Sequence, residues 1–373
     1  MVSEKNRGRF SIWRWLWGNL STRPVRSTIS VVAIALQVFL ILFVVGLTSG
    51  VVSEWGKRVE GVGADIMVQP PNSSIFFGFA SAVMQESIAE KIAAVDGVDE
   101  VAPVLILMDP AGFIVVYGTD YGRFEALSRP FRFIEGRRFE GPYEAIADDR
   151  VAGSRKLKVG SKVTLVNHQF TVCGIVPSGR GARFFIPLRT AQEIAGAEKR
   201  ASIFYVRSKG DVERTRAELV KLLPNYRIRS LDEYLTLMNT SNLPELRPFI
   251  RTMVGLGVSI GFLVVLLTMH TMVLERTREI GILKALGSSR VDILGLIVGE
   301  TLLMAAMGIL VGVASTYGVT ALLKRTSPTL TILISLGWIF RSILLAFAGA
   351  VFGALYPAYR ASRCDPVDAL AYE

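Results

Sequence analysis

Metal-binding side chains and catalytic signatures are both scarce in this chain of 373 residues. Two cysteines, Cys173 and Cys364, and two histidines, His168 and His270, are too few for a disulfide framework or a four-ligand zinc site. His168 and Cys173 lie close enough in sequence to share a hairpin, yet no third ligand is in view. A turn histidine and a buried thiol are therefore the expectation. No G-x-S-x-G and no H-E-x-x-H occurs, which removes the familiar hydrolase constellations. A phosphate loop needs G-x-x-x-x-G-K-[ST], whose backbone amides cradle phosphate. The nearest approach, Gly160-Ser161-Lys162, interposes a Ser and has no Gly five residues before Gly160. The chain is expected not to be an enzyme, to hold no cofactor, and to leave any ATP to a partner subunit.

Charge is thin as well. Lys, Arg, Asp and Glu make up 20% of the residues against 51% that are hydrophobic. A mean hydropathy of +0.42 is too apolar for an ordinary soluble chain of this length. The net charge of +10 invites a nucleic-acid reading, but location argues against it. Half of the surplus lies in the first 26 residues, where Lys5, Arg7, Arg9, Arg14, Arg23 and Arg26 face only Glu4. A basic segment directly before an apolar span holds that end in the cytoplasm. No nucleic-acid partner is expected.

What is present in quantity is long uncharged sequence. Ser27–Ser53 carries no charge, and about 20 apolar residues suffice to cross a bilayer core. A cleaved signal peptide has a shorter apolar region of about 7–15 residues ending in small residues, so an uncleaved span is expected. Before it, Phe10, Trp13, Leu16, Trp17 and Leu20 recur at helical spacing, as in a short helix lying in the membrane interface. Three further spans follow on Thr252–Leu274, Ile293–Leu323 and Ile343–Tyr359, the last beginning several residues earlier with Arg341 near its outer end.

The resulting map is a basic and amphipathic segment over 1–26, spans over 27–53, 249–274, 293–323 and 337–359, an extracytoplasmic domain over 54–248, a loop over 275–292, a short outer loop over 324–336 and a tail over 360–373. Both termini and the loop with Arg276, Arg278, Lys284 and Arg290 then lie in the cytoplasm; Lys324 and Arg325 outside are a mild exception. Membrane lipids are the immediate surroundings. Glu300 is the one charge in the third span, either facing the bundle interior or reaching cytoplasmic headgroups. His270, near the end of the second span, is expected to pack at the interface. Gly308-x-x-x-Gly312 and Gly349-x-x-x-Gly353 are small-xxx-small patterns, expected as helix-packing faces.

Residues 54–248 change character, with alternating charges and Gly and Pro between short apolar runs. Ala64–Val68, Gln85–Ala94 and Val98–Met108 read as strand, helix and strand, and Ser202–Val206, Val212–Leu223 and Tyr226–Ile228 repeat that order. Lys162–Val166 and Gln169–Val176 read as a hairpin around Asn167-His168. The fold expected is a four-helix membrane protein carrying a large α+β domain, two β-α-β units with an inserted β-rich lobe at about 121–199. At this length the domain can bury its own core.

The loop between the second and third spans is the most informative segment. Ile280, Leu283 and Ala285–Leu286 make an apolar face on a short helix, Gly287 is a natural stop, and Ser288 or Ser289 can cap the next helix. Such a face must be buried on something, and a lipid surface and a partner protein serve equally well.

Glu275–Leu294, E-R-T-R-E-I-G-I-L-K-A-L-G-S-S-R-V-D-I-L, resembles the signature of the FtsX-like permeases, the MacB-type membrane subunits of ABC systems. Tyr356–Leu370 resembles their C-terminal P-A-x-x-A-x-x-x-x-P-x-x-A-L, and Phe185–Glu193 and Gly63-Ala-Asp65 are similar to weaker patterns of their outer domain. The resemblance implies a homodimer or a pair of related permeases, joined on the cytoplasmic face by two copies of a separate ATPase. It makes Glu275–Leu286 a coupling helix, with Glu279, Ile280 and Lys284 as contacts and Glu275, Arg278, Leu283 and Leu286 beside them. It further implies export or extraction of a lipid, lipoprotein, peptide or drug-like molecule, with a periplasmic adaptor as a further partner. The alternative is a regulator that uses the same stroke on a cell-wall hydrolase or sensor kinase, and a stand-alone receptor is a remote third.

Overall fold

The computed structural model describes residues 24–71, 73, 83–109, 114–128, 132–238, 246–326 and 329–363. The expected interfacial helix on Phe10–Leu20 and the tail beyond Arg363 lie outside these residues. In chain order the first elements are α1 (Pro24–Glu60), β1 (Ile66–Gln69), β2 (Met84–Gln85), α2 (Ile88–Ala93), β3 (Val98–Asp109), β4 (Ile114–Thr119), α3 (Tyr121–Leu127), β5 (Glu135–Gly136) and β6 (Glu144–Asp148). Then come α4 (Asp149–Arg155), β7 (Lys162–Leu165), β8 (His168–Val176), β9 (Phe184–Pro187), α5 (Leu188–Ile194), β10 (Arg200–Ala201), β11 (Ile203–Ser208), α6 (Val212–Leu222), β12 (Arg227–Ser230) and α7 (Leu231–Leu237). The chain closes with α8 (Leu246–Glu275), α9 (Thr277–Ala285), α10 (Arg290–Thr326) and α11 (Leu336–Ser362).

These elements form two compact units. One is helical, within Met1–Ser49, Glu245–Leu323 and Ile332–Glu373, and the other is mixed, within Gly50–Pro244 and Lys324–Thr331. Four helices, α1, α8, α10 and α11, are long and apolar enough to cross a membrane. α1 and α10 are the longest of these, and the 37 residues of each span about 55 Å at a helical rise of 1.5 Å, against roughly 30 Å of hydrocarbon core.

Within the helical unit small residues set the contacts. A Cβ added at Gly308 would stand 2.8 Å from Ile34 Cβ and 2.9 Å from the Val31 carbonyl oxygen, and one at Gly312 2.7 Å from the Ala35 oxygen. The backbones of α1 and α10 therefore meet where a side chain would hold them apart. Gly353 plays the same part for α11, with the Phe262 oxygen of α8 at 3.0 Å from its virtual Cβ. A Cβ added at Gly349 would stand 3.9 Å from the amide nitrogen of Gln37, which is buried, and whose Nε2 has no hydrogen-bond partner among the described residues. Around these contacts Ile34, Val38 and Leu42 of α1 share a core with Met304, Ala305 and Ile309 of α10 and with Ala346, Ala350 and Ala354 of α11.

In the mixed unit one ten-stranded sheet runs β12-β1-β11-β3-β4-β9-β6-β8-β5, with β7 paired to β8. The first four strands are antiparallel neighbours, and α2 and α6 are the crossovers of two interleaved β-α-β units. Alternation divides the sheet's faces. Phe204 and Val206 pack with Ile88, Ile92 and Leu219 on the helix-covered face. Tyr205 points the other way, its hydroxyl 3.0 Å from that of Tyr117. The inserted strands have a separate core, built on Val116, Ala147, Leu165, Phe170, Val172 and Phe184. They are nonetheless joined to the first lobe edge to edge, because β4 pairs in parallel with β9 through Val116↔Phe184 to Thr119↔Pro187. The β7–β8 hairpin turns at Val166 and Asn167, both at positive φ as a two-residue type I′ turn requires, and His168 binds the Val166 oxygen through Nδ1 at 2.8 Å.

Candidate functional site

The loop joining α8 to α10 folds as a helix between two well-formed corners. α9 stops at Gly287, which has φ +98°, with Gly287 N–H donating to the Lys284 oxygen at 3.0 Å and Ser288 N–H to the Leu283 oxygen at 3.0 Å. This pairing satisfies carbonyls that a helix end otherwise leaves open. α10 begins with a reciprocal cap. Ser289 Oγ accepts from Asp292 N–H at 3.2 Å while Asp292 Oδ2 accepts from Ser289 N–H at 2.9 Å. Gly287 and Ser289 are thus the stop and the cap that the loop sequence foreshadows.

What holds α9 from inside is an ion pair. Arg276, at the junction of α8 and α9, places Nη1 3.2 Å and 3.3 Å from the two carboxylate oxygens of Glu300 on α10. The side chains are 10% and 3% exposed, so the pair is shielded from solvent, with Glu279 Oε2 a further 3.8 Å partner of Arg276 Nε. Glu300 therefore faces the bundle interior rather than reaching outward from its helix. Lys284 Nζ donates to the Ser362 oxygen at 3.0 Å, tying α9 to the last turn of α11. His270 accepts from Arg360 Nη1 at 3.3 Å, linking α8 to α11.

The side chains expected at a docking surface divide into two sets. Glu275, Arg278 and Glu279 are exposed, as is Leu286, at 80%. Ile280 is buried, Leu283 packs against the same core, and Lys284 is drawn in toward α11. In this geometry the side chains of Ile280 and Lys284, both expected as contacts, serve the bundle. The apolar residues that α9 offers outward are Ile282, 45% exposed, and Leu286 just beyond its end. Sequence reasoning missed Ile282 and the buried role of Arg276. An unpaired acid in α10 was the available signal for the second, since a buried carboxylate calls for a cation.

Comparison with known proteins follows the same division of the chain. Residues 27–222 match the model of the MacB-like periplasmic core domain, and residues 251–366 match that of the FtsX-like permease C-terminal region. A protein of Bdellovibrio bacteriovorus described as macrolide export ATP-binding/permease protein MacB is 28% identical over 58% of this chain and 36% of its own length. A namesake from Nitrobacter winogradskyi is 30% identical over 57% of this chain and 35% of its own. An uncharacterized ABC transporter permease of Bacillus subtilis, YknZ, is 35% identical over 33% of this chain and 31% of its own. The chain spans between 31% and 36% of the length of these relatives. The extracellular domain of YknZ, as a solved structure, overlays 44% of this chain with 16% identity and a TM-score of 0.36.

Proposed function

From a chain that belongs to the MacB-like, FtsX-like family of ABC transporter permeases, we propose a subunit that transmits ATP-driven motion of a separate ATPase to its own outer domain. The observation that carries this reading is the α8–α10 loop. α9 is fixed from within by Arg276–Glu300 and Lys284–Ser362, and turns Arg278, Glu279, Ile282 and Leu286 outward. A rigid short helix with a mixed apolar and charged face is what a partner needs in order to push on a bundle. In this reading the chain sits in a bacterial inner membrane with both termini cytoplasmic, two permeases stand side by side, and two ATPases bind beneath them. The work is export or extraction at the outer face. The cargo we favour is an amphipathic or drug-like molecule, in keeping with relatives named for macrolide export.

The experiment is purification of the full chain in mild detergent with whatever accompanies it. A co-purifying ATPase whose turnover responds to this chain is the expected result, and Leu286→Asp together with Ile282→Asp should abolish the response while leaving the permease folded. Recovery of no ATPase sinks the reading. A cell-wall hydrolase in place of an adaptor or cargo would redirect it toward regulation.

A further inference from the structure

The mixed unit contains a charged cluster that the α9 surface does not involve. Near the outer end of α1, Glu54 receives Arg58 Nη2 at 2.7 Å and also Arg183 Nη2 on one carboxylate oxygen, and the hydroxyl of Thr331 on the other. Arg183, which leads into β9, sends Nη1 to Asp148 Oδ2 at 2.9 Å and Nη2 also to the Thr329 oxygen at 3.2 Å. Asp148 ends β6, and its other oxygen caps α4 by accepting from Val151 N–H at 2.6 Å. The side chains of Arg183 and Asp148 are 5% and 2% exposed. Three stretches far apart in sequence thus converge on one guanidinium: the end of α1, the β6–α4 corner, and the strap 329–331 between α10 and α11.

The backbone adds a second clasp at the same place. Gly181, at φ +68°, donates to the Arg58 oxygen at 2.8 Å, and any Cβ on Gly61 would collide with the Gly179 oxygen. The segment 179–183 therefore closes on the last turn of α1 with main chain and side chain together. Burial by itself raises the pKa of Asp148, and Arg183 is the first influence that lowers it again. A guanidinium suits this position because its fork reaches two carboxylates and a carbonyl at fixed angles, which an ammonium does not.

The structure assigns Arg183 as the positioning residue that locks the end of α1, the β-rich lobe and the strap 329–331 into one body, through Glu54, Asp148 and Thr329. This inference rests on the motion-transmitting function proposed above. A displacement arriving along α1 would be delivered to the inserted lobe rather than lost in play at the joint.

The test uses the full chain in lipid nanodiscs with its two native cysteines replaced by Ser and spin labels on Lys57→Cys and Arg155→Cys, both exposed positions. Electron–electron double resonance should give one narrow distance for the parent. Arg183→Gln should broaden or split it, and Arg183→Lys should broaden it less, with far-UV circular dichroism unchanged. A distribution as narrow as the parent's in both variants overturns the assignment; if Arg183→Gln fails to fold, the width in Arg183→Lys alone decides. A second arm adds the partner ATPase and ATP with an environment-sensitive fluorophore at residue 155. The parent should respond to ATP, and Arg183→Gln should lose that response while hydrolysis continues. A parent that never responds to ATP counts against the transmission reading, while the spin-label distances still decide the role of Arg183.

Discussion

Arg276 and Glu300 face each other across the α8–α10 interface with both carboxylate oxygens within 3.3 Å of one guanidinium nitrogen. Neither residue is exposed, and they come from opposite sides of the loop that carries α9. The pair fixes where α9 starts relative to α10. Its removal should therefore disturb the loop before it disturbs the rest of the bundle.

Breaking the pair from one side leaves a buried charge without compensation, which costs about 3–5 kcal/mol in comparable sites. Glu300→Leu and Arg276→Met should each lower the melting temperature of the detergent-solubilised chain. The double variant should recover most of the loss, because no unpaired charge then remains. Additive losses in the double variant would show that the two side chains do not act as a pair.

Position on the helix decides which glycines matter. Gly312→Leu forces a side chain against the Ala35 oxygen and Val38, and overpacking of this kind costs about 1–3 kcal/mol. Gly318 lies on the same helix with nothing within 4 Å of its virtual Cβ. Gly318→Ala should be neutral or stabilising by up to about 1 kcal/mol, given the helix propensities of the two residues. Thermal unfolding of the two variants side by side checks the contrast.

Acid should loosen one corner of the β-rich lobe. Hydrogen bonds from Arg137, helped by the N–H groups of Glu140 and Gly141, hold the pKa of Glu144 down at about 2 against an ordinary 4.5. A depressed carboxylate contributes stability that is present above its unfolded value and lost as pH falls toward the folded one. Stability should therefore decline between about pH 4.5 and about pH 2, and Glu144→Gln should flatten that part of the profile. Melting temperatures of both proteins across this range provide the measurement.

Cys173 should resist modification in the folded chain. Its thiol is buried, lies 3.4 Å from the Ala145 oxygen, and is pushed up to about 11 chiefly by desolvation. Thiolate is the reactive form, so a maleimide at neutral pH should leave Cys173 unlabelled until the protein unfolds. Mass spectrometry of tryptic fragments before and after denaturation distinguishes the two states.

How far these features could be read from sequence depended on the range of the interaction. The four long helices are visible because each long apolar run carries its own signal, and the β7–β8 hairpin because its turn is local. The parallel pairing of β4 with β9 is not, since residues 116–119 and 184–187 meet through a crossover that leaves no mark on either strand. In α9 the apolar residues Ile280, Ile282 and Leu283 spread around a short helix, so periodicity alone does not say which turns inward. Glu300 was conspicuous as a lone charge, but Arg276 stands in a basic loop where any of several cations was an equal candidate. Arg183 gave no signal at all. Its three attachment points become neighbours only when the mixed unit is folded.

The clasp on the end of α1 is a matter of angle as well as distance, because Glu54, Arg58 and Gly61 meet the segment 179–183 from one side of the chain. Each residue added to a helix turns what lies before it by about 100° against what lies after it. One residue inserted between Glu54 and Arg58 would turn the Glu54 carboxylate away from Arg183 while the Arg58 oxygen kept its hold on Gly181. The helix would lengthen there by only about 1.5 Å. Four inserted residues would bring the heading back to within about 40°, but would carry Glu54 about 6 Å along the axis and out of reach. The last turns of α1 are thus subject to a phase condition, under which a change of residue type should be borne more easily than any change of residue count.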